Sequence, residues 1–281
     1  MSKVLVIAGP TASGKTALGI EKALALDGEI VSADSMQIYR GMDIGTAKAT
    51  TDERLAVRHH MIDIVNPDED YSVARYVNDA AKCCDDILSR GKLPIIVGGT
   101  GLYIDSLLSG RDFGEYDTSL RPELGAHYDE VGGEAMLKEL SLFDPERASI
   151  LKPNDKKRIV RAFEVYRLSG NTITEHDRLS RQIPPRYEYD FIFLNPDRDE
   201  LYERINNRVD KMISLGLVDE VSSLLKTVDE SCTSMQAIGY KEIVQYLKGE
   251  LTLNEASELI KLSSRRYAKR QVTWFKRYDN K

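Results

Sequence analysis

Cysteine is scarce in this chain of 281 residues. Cys83, Cys84 and Cys232 are too few for a disulfide framework, and no Cys-x-x-Cys spacing suggests zinc. A reducing, cytoplasmic setting is expected from that usage. Long hydrophobic runs are also missing. The longest, residues 4–8 and 93–97, fall far short of the roughly 18 apolar residues that cross a bilayer, so no membrane contact is expected. The first residues run straight towards a strand, with no apolar targeting region or small-residue cleavage site. Repeats, low-complexity tracts and flexible linkers are absent as well. What is there is a globular composition, 42% hydrophobic and 30% charged, which excludes a disordered chain and suffices for one large domain or two modest ones.

Positive charge is in deficit overall, with a net charge of −6, which argues at first against a nucleic-acid partner. Its distribution argues the other way. Residues 261–281 carry eight Lys/Arg against the single Asp279, a local +7 that leaves −13 on the other 260 residues. Residues 152–167 hold six more Lys/Arg against Asp155 and Glu164. Such asymmetry suggests a polyanion held by part of the surface, although a solvated helix face gives the same pattern.

Short apolar runs alternate with helical periodicity over residues 1–110, the signature of a mainly parallel α/β sheet flanked by helices. Strands are expected at 4–8, 29–33, 60–65 and 93–97, with helices over 14–26 and 72–89. Strand signals vanish over 111–186, which reads as a helical insertion ending at Pro184-Pro185. The α/β core resumes over 187–281, with a strand at 191–194, a long helix bearing Arg204 and Arg208, and a final helix opened by the capping-box sequence Thr252-Leu253-Asn254-Glu255. Loops after the strands gather on one edge, where open α/β sheets bind ligands.

Gly9-Pro10-Thr11-Ala12-Ser13-Gly14-Lys15-Thr16 matches G-x-x-x-x-G-K-[ST] between a strand and a helix, the context that defines a P-loop. Its backbone N–H groups and helix N-terminus suit a pyrophosphate-like anion, Lys15 adds a full charge, and the Thr16 hydroxyl suits Mg²⁺. The motif specifies neither a nucleotide nor hydrolysis. Asp34 closes the second strand, where a carboxylate can assist magnesium, serve as a general base, or simply stabilise a turn. The long polar-aromatic loop from Asp34 to Lys48 has no evident packing role. Gly98-Gly99-Thr100-Gly101-Leu102-Tyr103 follows the fourth strand and offers the Thr100 hydroxyl to the same volume. Several other residues read as structural. His59 and His60 suit a strand flank better than a metal, Cys83 and Cys84 read as small half-buried residues, and Asp63 reads as a polar partner at a strand. Trp274 and Phe275 read as packing for the last helix.

The P-loop, Asp34-Ser35-Met36-Gln37-Ile38-Tyr39 and Gly98–Tyr103 together resemble the tRNA dimethylallyltransferases, also called tRNA isopentenyltransferases. The likeness continues through Lys152-Pro153-Asn154-Asp155-Lys156-Lys157-Arg158-Ile159-Val160-Arg161, Met235-Gln236-Ala237-Ile238-Gly239-Tyr240-Lys241 and Arg266-Tyr267-Ala268-Lys269-Arg270-Gln271-Val272-Thr273-Trp274-Phe275. It therefore spans almost the whole chain, most weakly over 112–150.

The resemblance implies transfer of a dimethylallyl group from dimethylallyl diphosphate to the exocyclic amine of the adenine 3′ of the anticodon in tRNA. It further implies that the P-loop holds the isoprenoid diphosphate with Mg²⁺, that Asp34 faces the amine, and that Thr100 touches the departing group or the base. Arg208 would be a further phosphate clamp. The anticodon stem-loop would be contacted by Ser35, Met36, Gln37, Arg121, Lys157, Arg158, Arg161, Gln236, Lys241, Arg266 and Arg270, with Lys269 beside them. A monomer is expected.

Three rivals remain on the residues alone. A small-molecule or nucleotide kinase would use ATP on the same loop, with Asp34 activating a hydroxyl. An enzyme that prenylates free adenine nucleotides would need neither basic stretch. An RNA-binding module with a regulatory P-loop would bind RNA without forming a covalent product.

Overall fold

The computed structural model describes residues 3–110, 119–180 and 182–279, so the expected start of the insertion at 111 and the charge of Lys281 lie outside the described residues. The chain divides into two compact units, one of Met1–Leu108 with Tyr187–Lys281 and one of Ser109–Arg186.

In the larger unit, β1 (Lys3–Ala8), α1 (Lys15–Ala25), β2 (Gly28–Ala33), α2 (Thr51–Ala56), β3 (His59–His60), α3 (Val73–Ser89), β4 (Leu93–Gly98) and α4 (Gly101–Leu108) follow in order. The smaller unit holds α5 (Arg121–Val131), α6 (Gly133–Leu140), α7 (Pro145–Ile150), α8 (Lys156–Ser169) and α9 (Ile173–Ser180). The larger unit resumes with β5 (Glu188–Phe193), α10 (Arg198–Ser214), α11 (Leu217–Leu224), α12 (Tyr240–Leu247) and α13 (Leu253–Phe275). Among the described residues no helix is long and apolar enough to cross a membrane.

The five strands among the described residues are all parallel, in the order β3-β2-β4-β1-β5. The continuous apolar runs of β1 and β4 follow from burial on both faces. Val4, Val6 and Ala8 point to a core shared with α3 and α4, whereas Leu5 and Ile7 point to one shared with α1. Each fully buried aliphatic side chain of this kind contributes roughly 1.5–3 kcal/mol. A third core joins the 34–48 segment to α10–α13 through Ile38, Tyr39, Met42, Val209, Tyr240 and Ile260.

Two strand limits differ from expectation. The third strand is two residues long instead of running from 60 to 65, because Met61 and Asp63 take left-handed φ values of 62° and 57°. That bend carries the Asp63 carboxylate onto Lys48 Nζ at 2.6 Å and an Arg54 guanidinium nitrogen at 2.7 Å, and the chain bridges to Tyr39 only at Val65. The fifth strand spans Glu188–Phe193, starting earlier than residue 191, because the edge position tolerates the polar alternation of Glu188 and Asp190. The last helix opens on Thr252, whose side chain and Glu255 cap each other's backbone N–H groups.

The smaller unit packs its helices on Leu124, Met136, Leu140, Ile159 and Phe163. Its fully buried Glu164 is held by Arg121 at 2.8 Å and Arg161 at 2.5 Å. A carboxylate that deep requires such partners.

The β2 edge is fastened by buried Glu29, which binds both terminal nitrogens of Arg90 and His60 Nε2 at 2.7 Å. Arg90 is the main cause that holds the Glu29 carboxyl down at about 2, against the opposing effect of burial, with His60 helping. The ionised form therefore stabilises the fold above the unfolded-state value near 4.5, and that contribution fades as pH falls towards 2. Replacing Glu29 by Gln is expected to lower Tm at pH 7 by about 2–4 °C. Melting curves across pH 7 to 2.5 should show the gap between wild type and variant closing below pH 4.5.

Candidate active site

The P-loop leaves β1 at Gly9, where a Cβ would collide with the Leu194 carbonyl at the end of β5. Ser13 N–H donates to the Pro10 carbonyl at 3.3 Å, and Gly14, at φ 90°, turns the chain into α1. That left-handed φ requires glycine, and no acidic residue sits in the first turn to oppose an anion. Residues Thr11 to Thr16 line a cleft of about 290 Å³, whereas Gly9 and Pro10 are buried beneath it.

Lys15, Arg208 and Asp34 meet at this cleft, and Glu53, tied to the Thr50 cap of α2, lines it as well. Lys15 donates to the Pro10 carbonyl at 2.5 Å. Arg208, on α10, donates from Nη1 to the Thr11 hydroxyl at 3.1 Å. Asp34 is half-buried at the end of β2, and its Oδ1 accepts from the backbone N–H of Met36 at 2.8 Å and of Gln37 at 3.4 Å, an Asx turn. Lys15 keeps some solvent contact along its length, but burial of its charge and the neighbouring Arg208 push it down to about 7, with Asp34 partly opposing. Burial also lowers Arg208, again opposed by Asp34. Two desolvated basic groups thus face a space suited to an anion, which would favour their charged forms.

Thr100 is tied to the same edge. Its hydroxyl accepts from Ser35 N–H at 3.1 Å, and its own N–H donates to the Ala33 carbonyl at 3.1 Å. The surrounding glycines are fixed by close neighbours, for a Cβ would strike the Ala33 backbone at Gly98, the Gln271 amide at Gly99 and the Trp274 ring at Gly101.

The 34–48 loop does have a packing role, contrary to the sequence reading. Ile38, Tyr39 and Met42 are completely buried. Gln37 accepts from the Ser32 hydroxyl and donates to the Thr46 and Ala47 carbonyls, so both ends of its amide hold the loop. Glu220 accepts from three successive N–H groups, of Asp43, Ile44 and Gly45, at 2.8–3.1 Å and from the Tyr240 hydroxyl at 2.5 Å. Buried Lys48 gathers the Tyr39 carbonyl, Asp43 and Asp63. The aromatic and aliphatic residues inside the loop were the signal for this core.

A second cleft, about 460 Å³ and more apolar, adjoins the first. Ser35, Met36, Gln236, Lys241 and Arg270 line it, and Asp34, Arg208 and Tyr267 line both clefts. Gln236 and Lys241 are exposed beside buried Met235 and Tyr240, which anchor their segment. Arg266 lies exposed on α13 and Arg204 pairs with Glu200 on the surface at 2.5 Å. Lys157 and Arg158 are exposed on α8, while Arg121 and Arg161 share Glu164. Trp274 packs over Gly101 and donates to Asp105 at 3.0 Å, and Phe275 is fully buried.

Three contributors escaped the sequence reading. Tyr267 and Gln271 stand one turn apart on α13. The Tyr267 hydroxyl is pushed up to about 12, chiefly by burial and next by Asp34, so it stays protonated at neutral pH. The helical spacing of Tyr267, Gln271 and Trp274 was the available signal. His59 walls the P-loop cleft with its Nδ1 2.7 Å from the Val57 carbonyl, and burial lowers its basicity, partly opposed by that hydrogen bond.

The profile of the family described as IPP transferase matches residues 37–278, and that of isopentenyl transferase matches residues 2–66. A tRNA dimethylallyltransferase from Acetivibrio thermocellus is 50% identical over 283 residues, covering 100% of this chain and 90% of the relative. The chain belongs to the tRNA dimethylallyltransferase family. A tRNA dimethylallyltransferase from Oceanobacillus iheyensis is 48% identical, covering 99% of this chain and 89% of the relative. Among solved structures, the tRNA isopentenylpyrophosphate transferase of Bacillus halodurans has 44% identity and a TM-score of 0.72, over 98% of this chain and 87% of that one. A eukaryotic dimethylallyltransferase acting on tRNA has 30% identity and a TM-score of 0.86, over 98% and 70%. The fold is accordingly that of the tRNA prenyltransferases, and the chain is a prenyltransferase.

An anion bound between Lys15 and Arg208 favours the charged form of Lys15 and raises its pKa from about 7. At pH 8 diphosphate binding should therefore take up protons. Calorimetry in buffers of different ionisation enthalpy is expected to show that uptake in wild type, with a smaller uptake in Lys15→Arg, whose guanidinium is already charged.

Proposed function

We propose that this chain transfers a dimethylallyl group from dimethylallyl diphosphate to the exocyclic amine of the adenine immediately 3′ of the anticodon in tRNA, releasing diphosphate. The observation that carries this reading is the position of Asp34 and Arg208 on the boundary of a polar P-loop cleft and a more apolar one. A diphosphate in the first cleft and a base in the second would meet across that boundary. The adenine nitrogen attacks C1 of the dimethylallyl group, the C1–O bond breaks with its electron pair leaving on the diphosphate, and the amine proton passes to Asp34. With Oδ1 held in the Asx turn, Oδ2 is the oxygen this role needs. Lys15, Arg208 and the P-loop N–H groups stabilise the charge that grows on the leaving group. Thr100, held against Ser35, positions the base or the departing group.

Magnesium fits this arrangement as a companion of the diphosphate. Among the described residues no group of three or more His, Cys, Asp or Glu could hold a metal. The Thr16 hydroxyl supplies a hard oxygen, the donor type that Mg²⁺ takes beside substrate phosphates. Bound there, it would neutralise diphosphate charge.

The target adenine is stacked in the anticodon loop and must be drawn out. Ser35, Met36, Gln236 and Lys241, lining the second cleft, are suited to the extruded base and its neighbours. Exposed Lys157 and Arg158 in one unit, and Arg266, Lys269 and Arg270 in the other, are suited to phosphates. We assign the protein to the cytoplasm, where its tRNA substrate is found, and to a monomeric state.

Purified protein, Mg²⁺, labelled dimethylallyl diphosphate and unmodified tRNA provide the test, with ATP as a competing donor. Label joined to tRNA and indifferent to ATP is the expected result. Asp34→Asn should reduce transfer at least about 100-fold, the usual scale for a general base, while tRNA affinity changes less than about twofold. ATP consumption without label on RNA would instead indicate a kinase.

A further inference from the structure

Gln271 is the buried polar side chain that joins the two halves of this site. It lies on α13 with 5% exposure. Its Oε1 accepts the Thr11 N–H at 2.8 Å and its Nε2 donates to the Gly99 carbonyl at 2.9 Å. One partner is a donor and the other an acceptor, so the orientation of the amide is fixed. Two further observations make this more than a buried hydrogen bond. Gly99 has no room for a side chain because the Gln271 amide occupies the space. Thr11, held by Gln271 at its backbone, holds Arg208 at its hydroxyl. The chain of contacts therefore runs from Gly99, beside Thr100, through Gln271 and Thr11 to Arg208.

We propose that Gln271 is a positioning residue for the transfer, keeping Thr11, and through it Arg208, in register with the Gly99–Thr100 turn. This rests on the transferase reading above. In that reading Arg208 serves the departing diphosphate and Thr100 serves the base or the leaving group. Their separation sets whether C1 is presented to the nitrogen in line, and a misplacement of about 1 Å can cost two orders of magnitude. Gln271 need not touch either substrate to have that effect.

The test is a double-mutant cycle. Gln271→Met preserves length and volume and removes both hydrogen bonds. Thr11→Val removes the hydroxyl that accepts Arg208 and keeps the N–H. For kcat/KM of dimethylallyl diphosphate we expect a loss of about 10–100-fold in Gln271→Met and a smaller loss in Thr11→Val. The double variant should match Gln271→Met within about twofold, because both act on one path. Losses that multiply, or full activity in Gln271→Met, overturn the proposal. Gln271→Ser, which leaves room for water, replaces Gln271→Met if the latter does not fold, with the same expectation. Unfolding of both would show a purely structural residue and would also overturn it. Calorimetric binding of inorganic diphosphate to the same variants separates this inference from the activity. If wild type transfers no label to tRNA, the transferase reading has failed. Non-additive weakening of diphosphate binding would then still support the positioning role, and additive or absent weakening would refute it.

Discussion

Two cations kept close together at the edge of a parallel sheet are the constraint on which the rest of this structure turns. Lys15 and Arg208 repel each other in a partly desolvated cleft, and Asp34 offsets the pair only in part. An arrangement of this kind costs free energy in the absence of an anion and returns it when one binds. It is sustained by elements distant in sequence. The P-loop presents Lys15, α10 presents Arg208, and Asp34 follows β2, so the site exists only once the parallel sheet has aligned β2, β4, β1 and β5 in that order.

Helix α13 and the 34–48 loop convert that placement into a rigid cradle. The helix buries Phe275 against the sheet and directs Tyr267 and Gln271 towards the cleft. The loop is held from within by Gln37 and Lys48 and from outside by Glu220, which gathers three consecutive backbone N–H groups. Oxygen and nitrogen atoms that would be costly to bury alone are satisfied inside these networks. The same networks account for why Gln37, which has the chemistry to read a base edge, has both ends of its amide engaged by Ser32, Thr46 and Ala47.

Much of this organisation was legible in the sequence, and the boundary of legibility has physical causes. The continuous apolar runs at 4–8 and 93–97 announced strands buried on both faces, and the P-loop announced its own turn because Gly14 is required there by φ. The short third strand was not legible, because the left-handed turns at Met61 and Asp63 come with ion pairs to Lys48 and Arg54 that periodicity does not show. Arg204 and Arg208 have the same helical spacing, yet one pairs on the surface and the other reaches Thr11. Arg121 and Arg161 read as charge available for a polyanion, and both are engaged by a buried glutamate that periodicity alone could not pair with them. The helical spacing could place Gln271 beside Tyr267 but could not name its hydrogen-bond partners, which lie 260 and 172 residues away.

In the proposed reaction the P-loop cleft, with its desolvated Lys15 and Arg208 and the more apolar cleft beside it, holds an isoprenoid diphosphate and not a nucleotide triphosphate. The most direct measurement is calorimetric titration of the protein, with Mg²⁺, by a non-transferable thio analogue of dimethylallyl diphosphate and separately by ATP. The analogue is expected to bind at least about tenfold more tightly than ATP, a difference of about 1.4 kcal/mol, and Arg208→Ala is expected to weaken its binding. Equal or tighter binding of ATP, with displacement of the analogue, would contradict this reading.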